Sequence, residues 1–180
     1  MAGLGIQSIL VMDESRYYAR MLHSLLLAFE VPIVQSYYSM DDAMEALKHT
    51  PFDLIIVDWP KKEGDPLSFV ANIRKGIGVC EQNMPIILCT AHTSRSKVTF
   101  ARDSGVTEIL LKPISPEQLM SKMVNACFKN RLFVESKTYK GPCRRRKDKD
   151  FVGSDKRNKS FLDQEQVDTV MKGSGEDATF

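Results

Sequence analysis

Short apolar runs alternate along the chain with longer amphipathic stretches. Each run has the length of a buried strand, and the five runs lie at 8–12, 32–37, 54–57, 85–89 and 108–111. In residues 15–29, which follow the first run, Tyr18, Leu22, Leu25 and Leu26 recur at helical spacing. This alternation predicts an α/β fold, in which a doubly wound five-stranded parallel sheet lies between two layers of helices.

The limits of the predicted helices are indicated by residues that start or stop a helix. Ser39 is a suitable N-cap for the second helix, and the Thr50-Pro51 pair ends it. Gly105 should end the fourth helix in a left-handed conformation, and Ser115-Pro116 should open the fifth. The five helices are therefore predicted at 15–29, 39–49, 66–75, 94–104 and 115–130.

Beyond residue 130 the pattern changes. Residues 137–159 hold ten Lys and Arg against three Asp and Glu, with few apolar side chains. Such a composition cannot bury enough surface to offset the entropy of ordering. We therefore predict a folded domain at 1–130 and a basic, largely disordered tail at 131–180. Helical apolar spacing returns at 160–172, where a short helix would need a surface to dock on.

The remaining composition excludes several classes of protein. The four cysteines form no CxxC pair, so zinc and dithiol redox sites are unsupported. No basic segment followed by an apolar core opens the chain, and no apolar stretch approaches about 18 residues. We expect a cytoplasmic protein without a membrane span. The arginine-rich run at 144–147 lacks interleaved aromatics, so specific nucleic-acid binding is not expected.

Polar side chains follow four of the apolar runs directly. They are Asp13, Glu14, Asp58, Thr90 and Lys112. The carboxyl ends of parallel strands share one edge of a sheet, so these groups should meet there. Clustered carboxylates need a cation, and oxygen ligands suit Mg²⁺. A lysine and a hydroxyl beside that cation could hold an anion, which predicts a site that handles phosphoryl groups.

The motifs at these strand ends resemble those of a known family. They are the runs Ile-Leu-Val-Met-Asp-Glu at 9–14, Leu-Ile-Ile-Val-Asp at 54–58, Ile-Leu-Cys-Thr-Ala at 87–91 and Leu-Lys-Pro at 111–113. In order and spacing the first 128 residues resemble the receiver domain of bacterial two-component response regulators, in particular the single-domain receivers of the chemotaxis type. The resemblance implies a flavodoxin-like sheet with strand order 2-1-3-4-5.

The resemblance also implies a role for each strand-end residue. Asp58 would accept the phosphoryl group, Lys112 would pair with its carboxylate, and Thr90 would bind the phosphoryl oxygens. The Lys112–Pro113 bond would be cis. The implied ligands of Mg²⁺ are Asp13, Glu14, Asp58 and the backbone carbonyl of Pro60.

We therefore expect a phosphoprotein of a phosphorelay, a single-domain response regulator phosphorylated on Asp58 by a histidine kinase or phosphotransfer protein. Phosphorylation would switch a face formed by the fourth helix, fifth strand and fifth helix toward an unidentified downstream protein. Enzymatic activity would be limited to Mg²⁺-dependent self-phosphorylation and dephosphorylation, in a monomer or weak dimer. The alternative is a phosphorylation-independent adaptor that binds partners through its basic tail, since the loop at 60–66 and Ile109 depart from the family pattern.

Overall fold

Five parallel strands form the central sheet of the computed structural model, which describes residues 5–59, 66–76, 78–91, 94–129, 131–136 and 139–144. The strands are β1 Ser8–Met12, β2 Ile33–Tyr37, β3 Leu54–Asp58, β4 Ile86–Thr90 and β5 Glu108–Leu111. The helices are α1 Arg16–Ala28, α2 Met40–His49, α3 Pro66–Lys75, α4 Arg95–Asp103 and α5 Pro116–Cys127. The strand order is β2-β1-β3-β4-β5 with every neighbouring pair parallel, so the predicted fold class is confirmed.

The sheet separates two apolar clusters. On one side Ile9 and Val11 of β1 pack with Leu22 of α1 and Met123 of α5. On the other side Leu10 and Met12 belong to a cluster that α2, α3 and α4 cover. Residues of β1 are thus buried on both faces, as expected for a parallel sheet covered by helices on both sides.

Both predicted serine caps, Ser39 and Ser115, are present, and Ser15 caps α1 in the same way. Ser15, Ser39 and Ser115 each accept a hydrogen bond from the backbone N–H three residues on. Gly105 has a φ of +99°, in the left-handed region, directly after α4. The Lys112–Pro113 bond is cis. The fifth helix ends at Cys127, a little before the predicted limit.

The structure corrects the predicted domain boundary at residue 130. Residues 133–135 and 140–142 form two antiparallel strands, β6 Phe133–Glu135 and β7 Lys140–Pro142, in which Val134 pairs with Gly141. Gly141 and Pro142 are buried. The prediction of a disordered tail that begins at residue 131 was therefore wrong for the described residues up to 144. The predicted helix at 160–172 lies outside the described residues.

This C-terminal hairpin, residues 131–136 and 139–144, is held by polar contacts at the edge of the sheet opposite the carboxyl ends of the strands. Arg131 donates to the carbonyl oxygen of Thr107 at 2.6 Å and pairs with the buried carboxylate of Glu108. Arg144 pairs with Asp103 at the end of α4 at 3.0 Å. A periodicity analysis cannot find such contacts, because two three-residue strands leave no periodic signal.

A buried arginine lies beside the hairpin. Arg74 of α3 is 1% exposed and donates to the carbonyl oxygens of Gly105, Gln82 and Met84 at 2.7–3.0 Å. Burial lowers the pKa of Arg74 to about 10, so the group remains charged at neutral pH. A Cβ atom on Gly105 would lie 3.0 Å from the carbonyl oxygen of Lys140, so the hairpin backbone approaches the end of α4 closely.

No helix within the described ranges is both long and apolar enough to cross a bilayer.

Candidate functional site

The carboxyl ends of β1, β3, β4 and β5 bring four of the predicted side chains to one edge. Strand register sets their level, because Met12 lies beside Val57, Asp58 beside Cys89 and Thr90 beside Leu111. Asp13, Asp58 and Lys112 directly follow or end these strands, and Thr90 is the last residue of β4. Residues separated by up to 99 positions therefore meet, as parallel topology predicts.

The Lys112 ammonium lies between two carboxylates. Its Nζ atom is 2.8 Å from Asp13 Oδ2 and 2.8 Å from Asp58 Oδ1. The side chains are 9% exposed for Lys112, 0% for Asp13 and 15% for Asp58. Asp58 is therefore the acid that a molecule from solvent can reach, and Asp13 lies beneath it.

Local backbone contacts fix Asp13. Its Oδ1 atom accepts a hydrogen bond from the Ser15 N–H at 2.8 Å, and its own N–H donates to the Tyr37 carbonyl at 3.1 Å. With Oδ2 on Lys112, both carboxylate oxygens of this buried acid have a donor. These bonds compensate for the loss of hydration on burial.

The environment of Asp58 makes its negative charge costly. Burial raises the pKa of the Asp58 carboxyl above its usual value, the hydrogen bond from Lys112 opposes the rise, and the charge of Asp13 adds to it. A nearby cation favours the ionised form of such an acid. Lys112 supplies one positive charge to two carboxylates, so one negative charge remains.

Lys112 stays protonated. Burial by itself lowers its pKa, but the hydrogen bonds and charges of Asp13 and Asp58 outweigh burial and raise the pKa above its usual value. The ammonium also lies over the ring of Tyr18, 4.2 Å from the ring centroid. The sequence pattern had assigned Tyr18 to the apolar stripe of α1, so this contact was missed.

A magnesium ion fits part of the predicted ligand set. Asp13 and Asp58 share one ammonium, so their oxygens lie within twice 2.8 Å of each other. Mg²⁺ commonly uses one or two carboxylates and keeps several waters, which suits this pair. Glu14 is exposed and makes neither a hydrogen bond nor an ion pair with any residue of the described ranges. Across the described ranges no three Asp, Glu, His or Cys side chains are close enough to hold a metal. Pro60 lies outside those ranges.

Thr90 and Trp59 line the same edge. Thr90 is 2% exposed, and its carbonyl oxygen accepts the Lys112 backbone N–H at 2.9 Å. The backbone N–H of Trp59 donates to the backbone carbonyl of Cys89 at 2.9 Å. Lys97 Nζ lies 5.6 Å from the centroid of the Trp59 ring. Trp59 directly follows Asp58, so its indole is placed to report on changes at the site.

The remaining candidates lie away from this edge. His23 lies 3.5 Å from the Ser36 hydroxyl, and His49 is paired with Glu45 on the surface of α2. His92 lies outside the described residues. All four cysteines are free. Ile109 is half-buried against the apolar cluster under α2, α3 and α4.

A parallel sheet of order 2-1-3-4-5 with two acids, a hydroxyl and a lysine at its carboxyl edge defines the receiver class of signalling domains. Residues 9–124 match the profile of the response regulator receiver domain. The chain therefore belongs to the response regulator receiver domain family, whose members act in phosphorelay signalling.

Three similar proteins are informative. The chain is 24% identical to the chemotaxis protein CheY-3 of Vibrio cholerae over 64% of its own length and 87% of that protein. It is 32% identical to the autoinducer 2 sensor kinase/phosphatase LuxQ of Vibrio harveyi, over 52% of its own length and 10% of that protein. The crystal structure of Vibrio cholerae chemotaxis protein CheY4 has a TM-score of 0.58 at 25% identity and covers 68% of this chain and 99% of that chain.

Proposed function

We propose that this chain is a single-domain response regulator that accepts a phosphoryl group on Asp58 from a histidine kinase or a phosphotransfer protein. The observation that carries the proposal is the Lys112 ammonium, 2.8 Å from a carboxylate oxygen of the one partly exposed acid in the cluster. Family membership supports phosphoryl transfer as the reaction class, and the geometry supports Asp58 as the proposed acceptor. Two similar proteins have chemotaxis names, which supports a chemotaxis-type role.

The transfer follows from the residues in place. An ionised Asp58 oxygen attacks phosphorus in line with the bond to the donor nitrogen, and a phosphorus–oxygen bond forms as the phosphorus–nitrogen bond breaks. The donor nitrogen keeps the electron pair of the broken bond. A donor ring that is protonated on its other nitrogen leaves as neutral imidazole, and an unprotonated ring leaves as imidazolate and becomes neutral by taking a proton from solvent. Lys112 neutralises the charge that develops on the transferred oxygens.

Magnesium is the proposed cofactor, with Asp13 and Asp58 as its ligands. When bound, it would neutralise the negative charge that Lys112 leaves uncompensated and polarise the phosphoryl oxygens. Glu14 and the Pro60 carbonyl remain predicted ligands, and Glu14 would have to turn inward or act through water. Thr90 is proposed to hydrogen-bond the phosphoryl group once it is attached.

The proposed output is a changed affinity at the surface formed by α4, β5 and α5. Phe100 of α4 and Leu111 of β5 are 57% and 44% exposed, so two large apolar side chains are available there to a protein partner. Ile109 in place of an aromatic residue means that any switch would use a different side-chain movement. A cytoplasmic location fits the four free cysteines, which stay reduced there.

Phosphorylation is tested by intact-mass measurement. Incubation with acetyl phosphate and Mg²⁺ should add the mass of one phosphoryl group, and Asp58→Asn should abolish the gain. Asp41→Asn, an exposed acid in the first turn of α2, is the matched control and should retain it. A wild-type protein that gains no mass with several donors would contradict the proposal.

Magnesium binding is tested separately through Trp59. Titration of wild type with Mg²⁺ should change indole fluorescence, and Asp13→Asn should abolish that response at the same ion concentrations. Ca²⁺-free and Mg²⁺-free samples with added EDTA provide the baseline. An identical response in Asp13→Asn and wild type would exclude Asp13 as a ligand.

The alternative adaptor function depends on residues 145–180, which lie outside the described residues. A deletion that tests it should begin at residue 145, since Arg131 and Arg144 of the hairpin bind Glu108 and Asp103 of the domain. Partner capture that survives Asp58→Asn and is lost in this deletion would favour the adaptor.

A further inference from the structure

The side chain of Tyr18 stands at the site without a role in the reaction described above. It belongs to the first turn of α1. Its backbone N–H donates a hydrogen bond to the side-chain oxygen of the N-cap residue Ser15 at 3.5 Å. The same short turn carries Asp13, whose Oδ1 accepts the Ser15 N–H. One local turn therefore places both the buried acid and the tyrosine ring relative to Lys112.

The ring is a third neighbour of the Lys112 ammonium, beside the two carboxylates. An ammonium has three N–H donors, and the carboxylates of Asp13 and Asp58 lie on two of them at 2.8 Å. The ring of Tyr18 lies beneath the charge, 4.2 Å from Nζ to the centroid, within the range of a cation–π contact. With Lys112 only 9% exposed, little of the ammonium is left to water.

Core packing does not account for this position. Leu22 and Leu26, one and two turns further along α1, belong to the buried apolar cluster, whereas Tyr18 is not among the residues of that cluster or packed against it. The aromatic neighbour of Tyr18 is Tyr17, whose ring meets it edge-on at 5.6 Å and is itself 74% exposed. The contacts of the Tyr18 ring thus lie toward Lys112 and the surface.

We propose that Tyr18 is a positioning residue for phosphoryl transfer, whose ring holds the Lys112 ammonium against the accepting oxygen of Asp58. This inference rests on the proposed function. A lysine side chain has four rotatable bonds and would otherwise sample solvent, so it would spend less time in contact with Asp58. The ring restricts that motion without adding a hydrogen-bond acceptor that would compete with Asp58 for the ammonium.

The experiment compares Tyr18→Leu, Tyr18→Phe and Tyr17→Leu with wild type. Tyr18→Leu should slow phosphorylation of Asp58 by acetyl phosphate about threefold to tenfold at saturating Mg²⁺. This is the range expected for loss of a partly desolvated cation–π contact. Tyr18→Phe keeps the ring face and should remain within about twofold of wild type. Tyr17→Leu removes an aromatic ring from the same helix turn without touching Lys112, and should also remain within about twofold.

A second readout does not depend on phosphorylation. In wild type the ε-methylene protons of Lys112 should resonate upfield because of the Tyr18 ring current, and Tyr18→Phe should preserve this displacement. Tyr18→Leu should return the signal to the ordinary lysine position. Circular dichroism verifies that each variant is folded.

Each outcome is decisive. Equal phosphorylation rates for wild type and Tyr18→Leu would overturn the positioning role. So would equal reductions of that rate in Tyr18→Leu and Tyr18→Phe. A wild-type protein that takes up no phosphate would overturn the proposed function instead, and the Lys112 spectrum would then still show whether the ring holds the ammonium.

Discussion

The two ends of β5 carry opposite arrangements of buried charge. At the carboxyl end one cation, Lys112, lies between the acids Asp13 and Asp58. At the amino end one acid, Glu108, is 2% exposed and pairs with Lys122 Nζ at 2.8 Å and with Arg131. Formally the first cluster has one excess negative charge and the second one excess positive charge.

The difference lies in which charge can reach water. Lys122 and Arg131 are 28% and 21% exposed, so the excess positive charge at the amino end is partly hydrated. Asp13 and Asp58 are 0% and 15% exposed, so the excess negative charge at the carboxyl end is less hydrated and is carried to solvent by Asp58 alone. In the amino-end cluster the buried acid is fully compensated by cations, and the cluster fastens the C-terminal hairpin. The other needs a further cation, which is the property that a phosphoryl-accepting site requires.

The largest expected effect comes from removing the cation of the carboxyl-end cluster. Lys112→Met should slow phosphorylation of Asp58 by about a hundredfold or more, because the positive charge that stabilises the oxygens of the transferred phosphoryl group is lost. It should also destabilise the metal-free protein by about 3 kcal/mol, since two buried carboxylates lose their common partner. Urea unfolding with and without Mg²⁺ measures the second effect, which the ion should partly reverse.

Lys48→Met is the matched control for that variant. Lys48 pairs with Glu45 on the surface of α2 and is 47% exposed. Its removal should change neither rate nor stability measurably. An uptake rate in Lys112→Met within about threefold of wild type would remove the functional distinction between the two ends of β5.

The next largest effect should come from the amino-end cluster and should affect stability alone. Glu108→Gln leaves two cations around a neutral amide and should lower the free energy of unfolding by about 1–3 kcal/mol, moderated by the partial exposure of Lys122 and Arg131. The rate of Asp58 phosphorylation should remain within about twofold of wild type. Slower uptake with unchanged urea unfolding would show that the two clusters are coupled through β5.

A smaller effect concerns the pH dependence of stability that Asp58 causes. Its sign is opposite to that of a carboxylate whose pKa is lowered by folding. Because the folded-state pKa of Asp58 is raised, the native protein binds more protons than the unfolded chain between the two pKa values, and its stability falls as pH rises through that window. Asp58→Asn removes the cost of the ionised group, so it should be more stable than wild type at about pH 7. The advantage should shrink as pH falls toward about 4, near the unfolded value.

Urea unfolding of both proteins across this pH range, without Mg²⁺, provides the measurement. Addition of Mg²⁺ at neutral pH should narrow the gap by stabilising wild type more than the variant. A variant less stable than wild type at every pH would mean that the ionised Asp58 carboxylate contributes net stability through Lys112.

The smallest effect is expected from the exposed end of the hairpin. Arg144 and Asp103 are 46% and 37% exposed, so their ion pair is strongly hydrated, and Arg144 also lies over the Tyr139 ring. Arg144→Ala should lower stability by about 0.5 kcal/mol. A loss above about 2 kcal/mol by urea unfolding would show that the hairpin is held mainly from α4 rather than through Glu108.

Much of the fold could be predicted because its signals are local. The continuous apolar runs 54–57 and 85–89 predicted β3 and β4, and Ser39 and Ser115 cap helices through bonds that span three residues. The convergence of Asp13, Asp58, Thr90 and Lys112 followed from the rule that parallel strands end at one edge. The hairpin could not be predicted this way, because Arg131 is held by Thr107 and Glu108, which are distant in sequence, and not by any periodic pattern.

The sequence by itself determined the order of strands and helices and which side chains follow each strand, since propensity, periodicity and capping act over a few residues. Only the tertiary structure decided that Asp13 is buried while Glu14 faces solvent, that Tyr18 contacts Lys112, and that Arg131 reaches Glu108. Burial and ion pairing depend on which remote segments meet, and that depends on packing of the whole domain rather than on neighbours in the chain.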